Sequence, residues 1–105
     1  MEGKMMIHLH IEHTVQDFDA WKTSFDSFSA LRQNSGVNWY CISRLVDNPN
    51  FAMIDLEFDS LSEAESLLAA VQQVWKRVDG TLIHDPRWHL SEVVEIKKLK
   101  PMDLA

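Results

Sequence analysis

His8 and His10 stand two residues apart in a stretch where Ile7, Leu9 and Ile11 alternate with His8, His10 and Glu12. On a strand that spacing puts both imidazoles on one face, roughly 6.6–6.8 Å apart at Cα. Imidazole titrates close to neutrality, so such a pair suits general acid–base work. A single metal bound there would need a third ligand, for which His89 and Asp55 are the candidates. The expectation is a metal-free pair with no cofactor. Residues 51–58 alternate in the same way, Ala52, Ile54, Leu56 and Phe58 against Phe51, Met53, Asp55 and Glu57. If the aliphatic sets of both strands face the core, then His8, His10, Glu12, Met53, Asp55 and Glu57 share the opposite face, joined by His89 and Ser91 from a last strand. His10, His8 and His89 are the expected catalytic set, with His10 inside a cavity, His8 nearer its rim and His89 across from both. The competing reading is that these histidines only hydrogen-bond within a wet subunit interface.

Further candidates lie on the stretch 37–46, rich in β-branched and aromatic residues. Trp39 and Cys41 share one face of that strand, Tyr40 and Arg44 the other, and periodicity leaves open which faces a cavity. Trp39, Tyr40, Arg44, Met53 and Asp55 are the expected substrate-binding residues, since an aromatic wall beside polar groups suits a planar organic ligand. Cys41 has neither an adjacent base nor a helix N-terminus to activate it and reads as a buried, inert thiol. Trp21, Phe25 and Phe28 read as core against the sheet. The acidic set Glu57, Asp59, Glu63 and Glu65 spans a strand end and a helix start, where negative charge favours the dipole.

Six elements must position these groups. A strand over 5–13 is followed by a helix capped by Asp17, carrying Phe18, Trp21, Phe25, Phe28 and Leu31 at helical spacing and stopped by Asn34-Ser35-Gly36. Strands over 37–46 and 51–58 flank the turn Asp47-Asn48-Pro49-Asn50 and form a hairpin. Ser60-Leu61-Ser62-Glu63 has the form of a capping box, and helical spacing then runs to Asp79-Gly80. After a loop holding His84 and Pro86, residues 88–97 form the last strand, and the lysine-rich end is a frayed tail. The order β-α-β-β-α-β is the ferredoxin-like pattern: a four-stranded antiparallel sheet, strand order 4-1-3-2, with both helices on one face. The bare face needs a cover, and a second copy is the simplest one.

The chain has 105 residues, 46% hydrophobic and 25% charged, which suits one globular domain spanning 1–105 and excludes disordered and fibrous classes. Sixteen acidic against ten basic residues argue against a nucleic-acid or anionic-membrane partner. His8, His10, Glu12 and His13 interrupt the N-terminal apolar stretch, so neither a membrane span nor a secretory signal is expected. The lone cysteine, Cys41, cannot form an intrachain disulfide, which fits a cytoplasmic location.

Several strings occur together in order: His13-Thr14-Val15-Gln16-Asp17-Phe18-Asp19-Ala20-Trp21-Lys22, then Phe25-Asp26, Leu31-Arg32 and Gly36, then Asp47-Asn48-Pro49-Asn50, then Leu56-Glu57-Phe58-Asp59-Ser60-Leu61. Over residues 5–70 the chain resembles the dimeric α+β barrel superfamily, in particular its small members related to the antibiotic-biosynthesis monooxygenase group. The resemblance implies a homodimer whose two sheets form a barrel. It also implies the range of activities in that superfamily: cofactor-independent quinone-forming monooxygenases, haem degraders, cyclases and isomerases. The haem-degrading branch carries a tryptophan early in the second helix and a histidine further along it. This helix has Ser66 near the first position and no histidine, so the resemblance does not extend to haem.

The function these readings imply is a small cofactor-independent monooxygenase-like enzyme, acting on an aromatic or polyketide-like molecule after a histidine abstracts a proton. The alternative is a non-catalytic dimeric module that binds a small hydrophobic ligand.

Overall fold

The computed structural model describes residues 6–100. Its elements are β1 (Ile7–Val15), α1 (Phe18–Asp26), α2 (Ser29–Asn34), β2 (Val37–Leu45), β3 (Asn48–Phe58), α3 (Leu61–Val78) and β4 (Ile83–Glu92). The strands form one antiparallel sheet in the order β2-β3-β1-β4, the expected order read from the other edge.

Alternation decides which face is buried. Ile7, Leu9, Ile11 and Val15 of β1, Ala52, Ile54, Leu56 and Phe58 of β3, and Ile83 of β4 pack with Trp21 of α1 and Ala64, Leu67 and Leu68 of α3 in one cluster. The helix termini are fixed as the sequence suggests. Asp17 accepts the Ala20 N–H at 3.3 Å. Ser60 Oγ accepts the Glu63 N–H at 3.2 Å and donates to Glu63 Oε1 at 3.0 Å.

Four boundaries differ from the sequence reading. β1 runs on to Val15 rather than ending at 13, since Thr14 and Val15 pair with His84 and Ile83 of β4. The expected first helix breaks in two at Ser27 and Phe28, where Ser27 Oγ donates to Ser24 O at 2.6 Å and competes with the helical ladder. Arg32 Nη1 bridges the break by donating to Phe25 O at 2.8 Å. The hairpin turn is the two residues Val46 and Asp47, and β3 begins at Asn48. Pro49 is tolerated because the pairing of β1 with β3 stops at Thr14 and Phe51, so no β1 carbonyl requires its missing N–H. The last strand is Ile83–Glu92 rather than 88–97. His84 and Pro86 lie inside it, beside a bulge opposite Glu12 and Thr14 and with Asp85 at φ 58°. Val94 and Ile96 lie beyond its end, where residues 93–98 take no regular structure.

Candidate functional site

The open face of the sheet carries the expected histidine set. His8 lies opposite Glu57 and Ser91, and His10 opposite Asp55 and His89. On the other side of β3, Trp39 lies opposite Glu57 and Cys41 opposite Asp55. Side chains of directly opposed residues meet, so the register alone brings these groups together. His8 Nε2 is 3.0 Å from Glu57 Oε2, and the His8 ring meets Trp39 edge-on with centroids 5.3 Å apart. Glu57 is 6% exposed and also accepts from Asn38 Nδ2 at 3.2 Å. His10 is held at both nitrogens: Nδ1 lies 2.7 Å from Asp55 Oδ1 and Nε2 2.9 Å from Glu12 Oε1. Its ring stacks on His89 at 4.9 Å. Burial pulls the His10 pKa down, but hydrogen bonds and charge from Asp55 and then Glu12 outweigh it, leaving a net rise above the ordinary value of 6.5. Among the described residues no three such side chains converge as a metal site.

The structure settles which face of β2 is which. Trp39 and Cys41 belong to the open face with Met53, Asp55 and the histidines, and the Cys41 thiol, expected to be buried, is exposed there because the helices cover the other face. Tyr40 and Arg44 turn toward the helices: Tyr40 meets Phe25 edge-on at 5.3 Å, and the Arg44 guanidinium lies 4.4 Å from the Phe18 ring centroid. The expected substrate-binding set therefore divides between two sides of the sheet, and Tyr40 and Arg44 cannot share a pocket wall with Trp39, Met53 and Asp55.

A second site lies on the helix side. Between α1, α2, α3 and the sheet is an apolar cavity of about 100 Å³, walled by Trp21, Phe25, Phe28 and Trp75 and containing two polar groups of note, His13 and Arg32. His13 has the same parity as Ile7, Leu9 and Ile11, so it projects under the helices. It is 2% exposed, and its Nδ1 alone among the buried side-chain nitrogens and oxygens of the described residues has no hydrogen-bond partner. Trp21 meets the His13 ring at 5.4 Å and 70°. Burial drives the His13 pKa below 6.5; the backbone of Thr14 and of His13 itself opposes the shift weakly, without making a full hydrogen bond to Nδ1. The imidazole is neutral at pH 7 and can accept a proton. Arg32 is buried with its guanidinium 3.7 Å above the Phe25 ring centroid. Among the described residues aromatic faces and the Phe25 carbonyl meet its charge, rather than a carboxylate. The cavity thus pairs a neutral base with a cation able to hold a developing anion. His13 was not singled out in the sequence, although extending the β1 alternation by one step past Ile11 would have placed it here.

Together the element order, the sheet order and the one-sided helices define a ferredoxin-like α+β fold. No protein-family model matches the chain, and no curated protein sequence matches it. Solved structures do. A Deinococcus radiodurans protein that carries the name "putative antibiotic biosynthesis monooxygenase" is 19% identical, with 90% of this chain and 99% of that one covered and a TM-score of 0.72. A Shewanella oneidensis protein is 14% identical over 87% and 93% of the two chains, also at 0.72. A dimeric ferredoxin-like protein from an uncultured marine organism is 9% identical over 93% and 95%, at 0.64. Identities this low show the shared fold, the one that the sequence resemblance implied.

Proposed function

We propose that the chain is a small monooxygenase-like enzyme whose substrate is a hydroxylated aromatic ring held in the cavity under the helices, with His13 as the proton acceptor. The observation that carries this reading is the unpartnered, buried His13 nitrogen in an aromatic wall that also contains Arg32. A buried polar group without a partner costs about 1–3 kcal/mol, which a ligand hydroxyl would recover. An apolar cavity of about 150 Å³ accommodates benzene, so at about 100 Å³ this one takes at most a single ring, with a small outward shift of its wall, and has no room for a multi-ring polyketide. Neutral His13 takes the hydroxyl proton, Arg32 holds the resulting oxyanion, and dioxygen oxidises that anion, one oxygen atom forming a new ring carbon–oxygen bond to give a quinone while the other leaves as water with the two protons released. His10 is a poor candidate for the base because both its nitrogens already face carboxylates, which leaves neither open to a substrate proton.

The open face has a different role in this reading. It is the contact between two copies, closing a barrel in which His8, His10 and His89 with their carboxylates form a polar interface. About 800 Å² per partner is the area of a standard stable contact.

Titration with phenol and hydroquinone, followed by histidine and tryptophan NMR resonances and by oxygen uptake, tests the proposal. Expected are shifts at His13, Trp21 and Trp75, with uptake that the His13→Phe variant abolishes. Shifts confined to His8, His10 and His89 would move the site to the open face. Binding at His13 with no oxygen consumed would leave the non-catalytic binding module.

A further inference from the structure

Arg32 brings a permanent charge to the cavity beneath the helices, and nothing in the wall opposes it. Among the described residues lining that space there is no aspartate or glutamate. The side chain is buried, and a guanidinium keeps its proton at any working pH. Its Nη1 donates to the Phe25 carbonyl at 2.8 Å, and its central carbon lies 3.7 Å from the Phe25 ring centroid and 5.1 Å from that of Tyr40. A guanidinium carries five N–H donors, so most of them are left to a ligand. Aromatic faces and one carbonyl offset part of the cost of burying a cation, and an anion offsets more.

His13 belongs to the same unit. Trp21 contacts both the His13 ring and the Phe25 ring, and Phe25 carries Arg32. Burial holds the His13 pKa below 6.5, so a proton on its ring would add a second buried cation to a wall that already has one uncompensated. A neutral phenol that gives its proton to His13 therefore leaves two cations facing one anion. A phenol already ionised in water leaves one of each.

We propose that Arg32 makes this cavity select a single aromatic ring in its anionic form, so that of two phenols of similar size the more acidic is held more tightly. The inference rests on the reading of this cavity as the substrate site and adds what sets its specificity. Volume supports a ring whose charge sits on its own oxygen, since about 100 Å³ leaves no room for a carboxylate or phosphate arm beside it. The ligand class is a small, acidic phenol.

Binding of phenol, 2-fluorophenol and 2,6-difluorophenol to the full chain at neutral pH tests this, with benzene, fluorobenzene and 1,3-difluorobenzene as rings that carry the same fluorines and no acidic proton. Each ortho fluorine raises acidity and adds little volume. From phenol to 2,6-difluorophenol the dissociation constant, followed by histidine and tryptophan NMR resonances, should fall at least roughly tenfold, about 1.4 kcal/mol. Ultraviolet absorbance should show the bound difluorophenol ionised to a greater extent than in free solution, and the benzene series should show no such trend. Arg32→Gln should flatten the phenol series, whereas Arg32→Lys, which keeps the charge, should retain it. If the Gln variant does not fold, the wild-type series and the absorbance decide alone. Phenols bound in their neutral form, or a parallel gain in the benzene series, would overturn charge selection and leave the His13 site standing. A trend that survives Arg32→Gln would overturn Arg32 as its source. Phenols that leave the His13 resonances unmoved would overturn the site and its selectivity together.

Discussion

The rings of Trp21 and His13 meet in a T-shaped contact, centroids 5.4 Å apart and planes at 70°, joining the first strand to the first helix in a cavity wall. Both residues are buried, and both line the space beneath the helices. Packing and chemistry therefore meet at the same pair.

Trp21→Ala should cost about 3–5 kcal/mol in urea unfolding, the usual range for removing a large buried aromatic. Trp21 also meets Phe18 and Phe25 at 5.5 and 5.3 Å, so its loss opens the seam between α1 and the sheet. A loss below about 1 kcal/mol would show that the neighbouring rings close the gap.

His13 predicts an acid-side weakness. Its folded pKa lies below the unfolded value of 6.5, so between the two the unfolded chain binds a proton that the folded chain does not. Stability contributed by neutral His13 is complete above pH 6.5 and falls as pH drops through that window. His13→Phe should flatten the acid limb of a melting-temperature profile, and an unchanged limb would locate the sensitivity elsewhere.

His10 predicts the opposite slope. Its folded pKa is raised by Asp55 and Glu12, so its contribution is complete below pH 6.5 and is lost as pH rises through the folded value. The difference in melting temperature between wild type and His10→Gln should be largest on the acid side of 6.5 and shrink as pH rises through the folded value. A difference constant with pH would mean that the ring acts through packing alone.

Gly36 has φ +85°, and a Cβ there would meet the carboxylate of Glu63. Gly80 has a similar φ of +91° and open space around it. Each change to alanine should cost about 1–2 kcal/mol from the left-handed backbone. Gly36→Ala should cost more, since it also displaces the Glu63 side chain from the α3 cap, and equal denaturation midpoints would show that Glu63 swings away freely.

Much of this was legible in residue order. Period-two alternation in β1 and β3 specified the buried face, and Asp17 and Ser60 marked the helix starts, because both signals act over a few residues of chain. The pairing of His8 with Glu57 and His10 with Asp55 depended on register, which only the assembled sheet fixes, though alternation had put all four on one face. Trp39 and Tyr40 differ by a single step along β2, so their sides stayed undecided until the helices covered one of them. Local composition did not mark the end of β4 either. Val94 and Ile96 have the residue types of a strand, but a strand is defined by its pairing, and among the described residues the ladder between β1 and β4 ends at Ile7 and Glu92. The cavity was the least legible feature, because it is a gap between three helices and a sheet and no segment encodes it alone. Sequence set the parity of His13; tertiary packing left its Nδ1 without a partner and put Arg32 in the same wall.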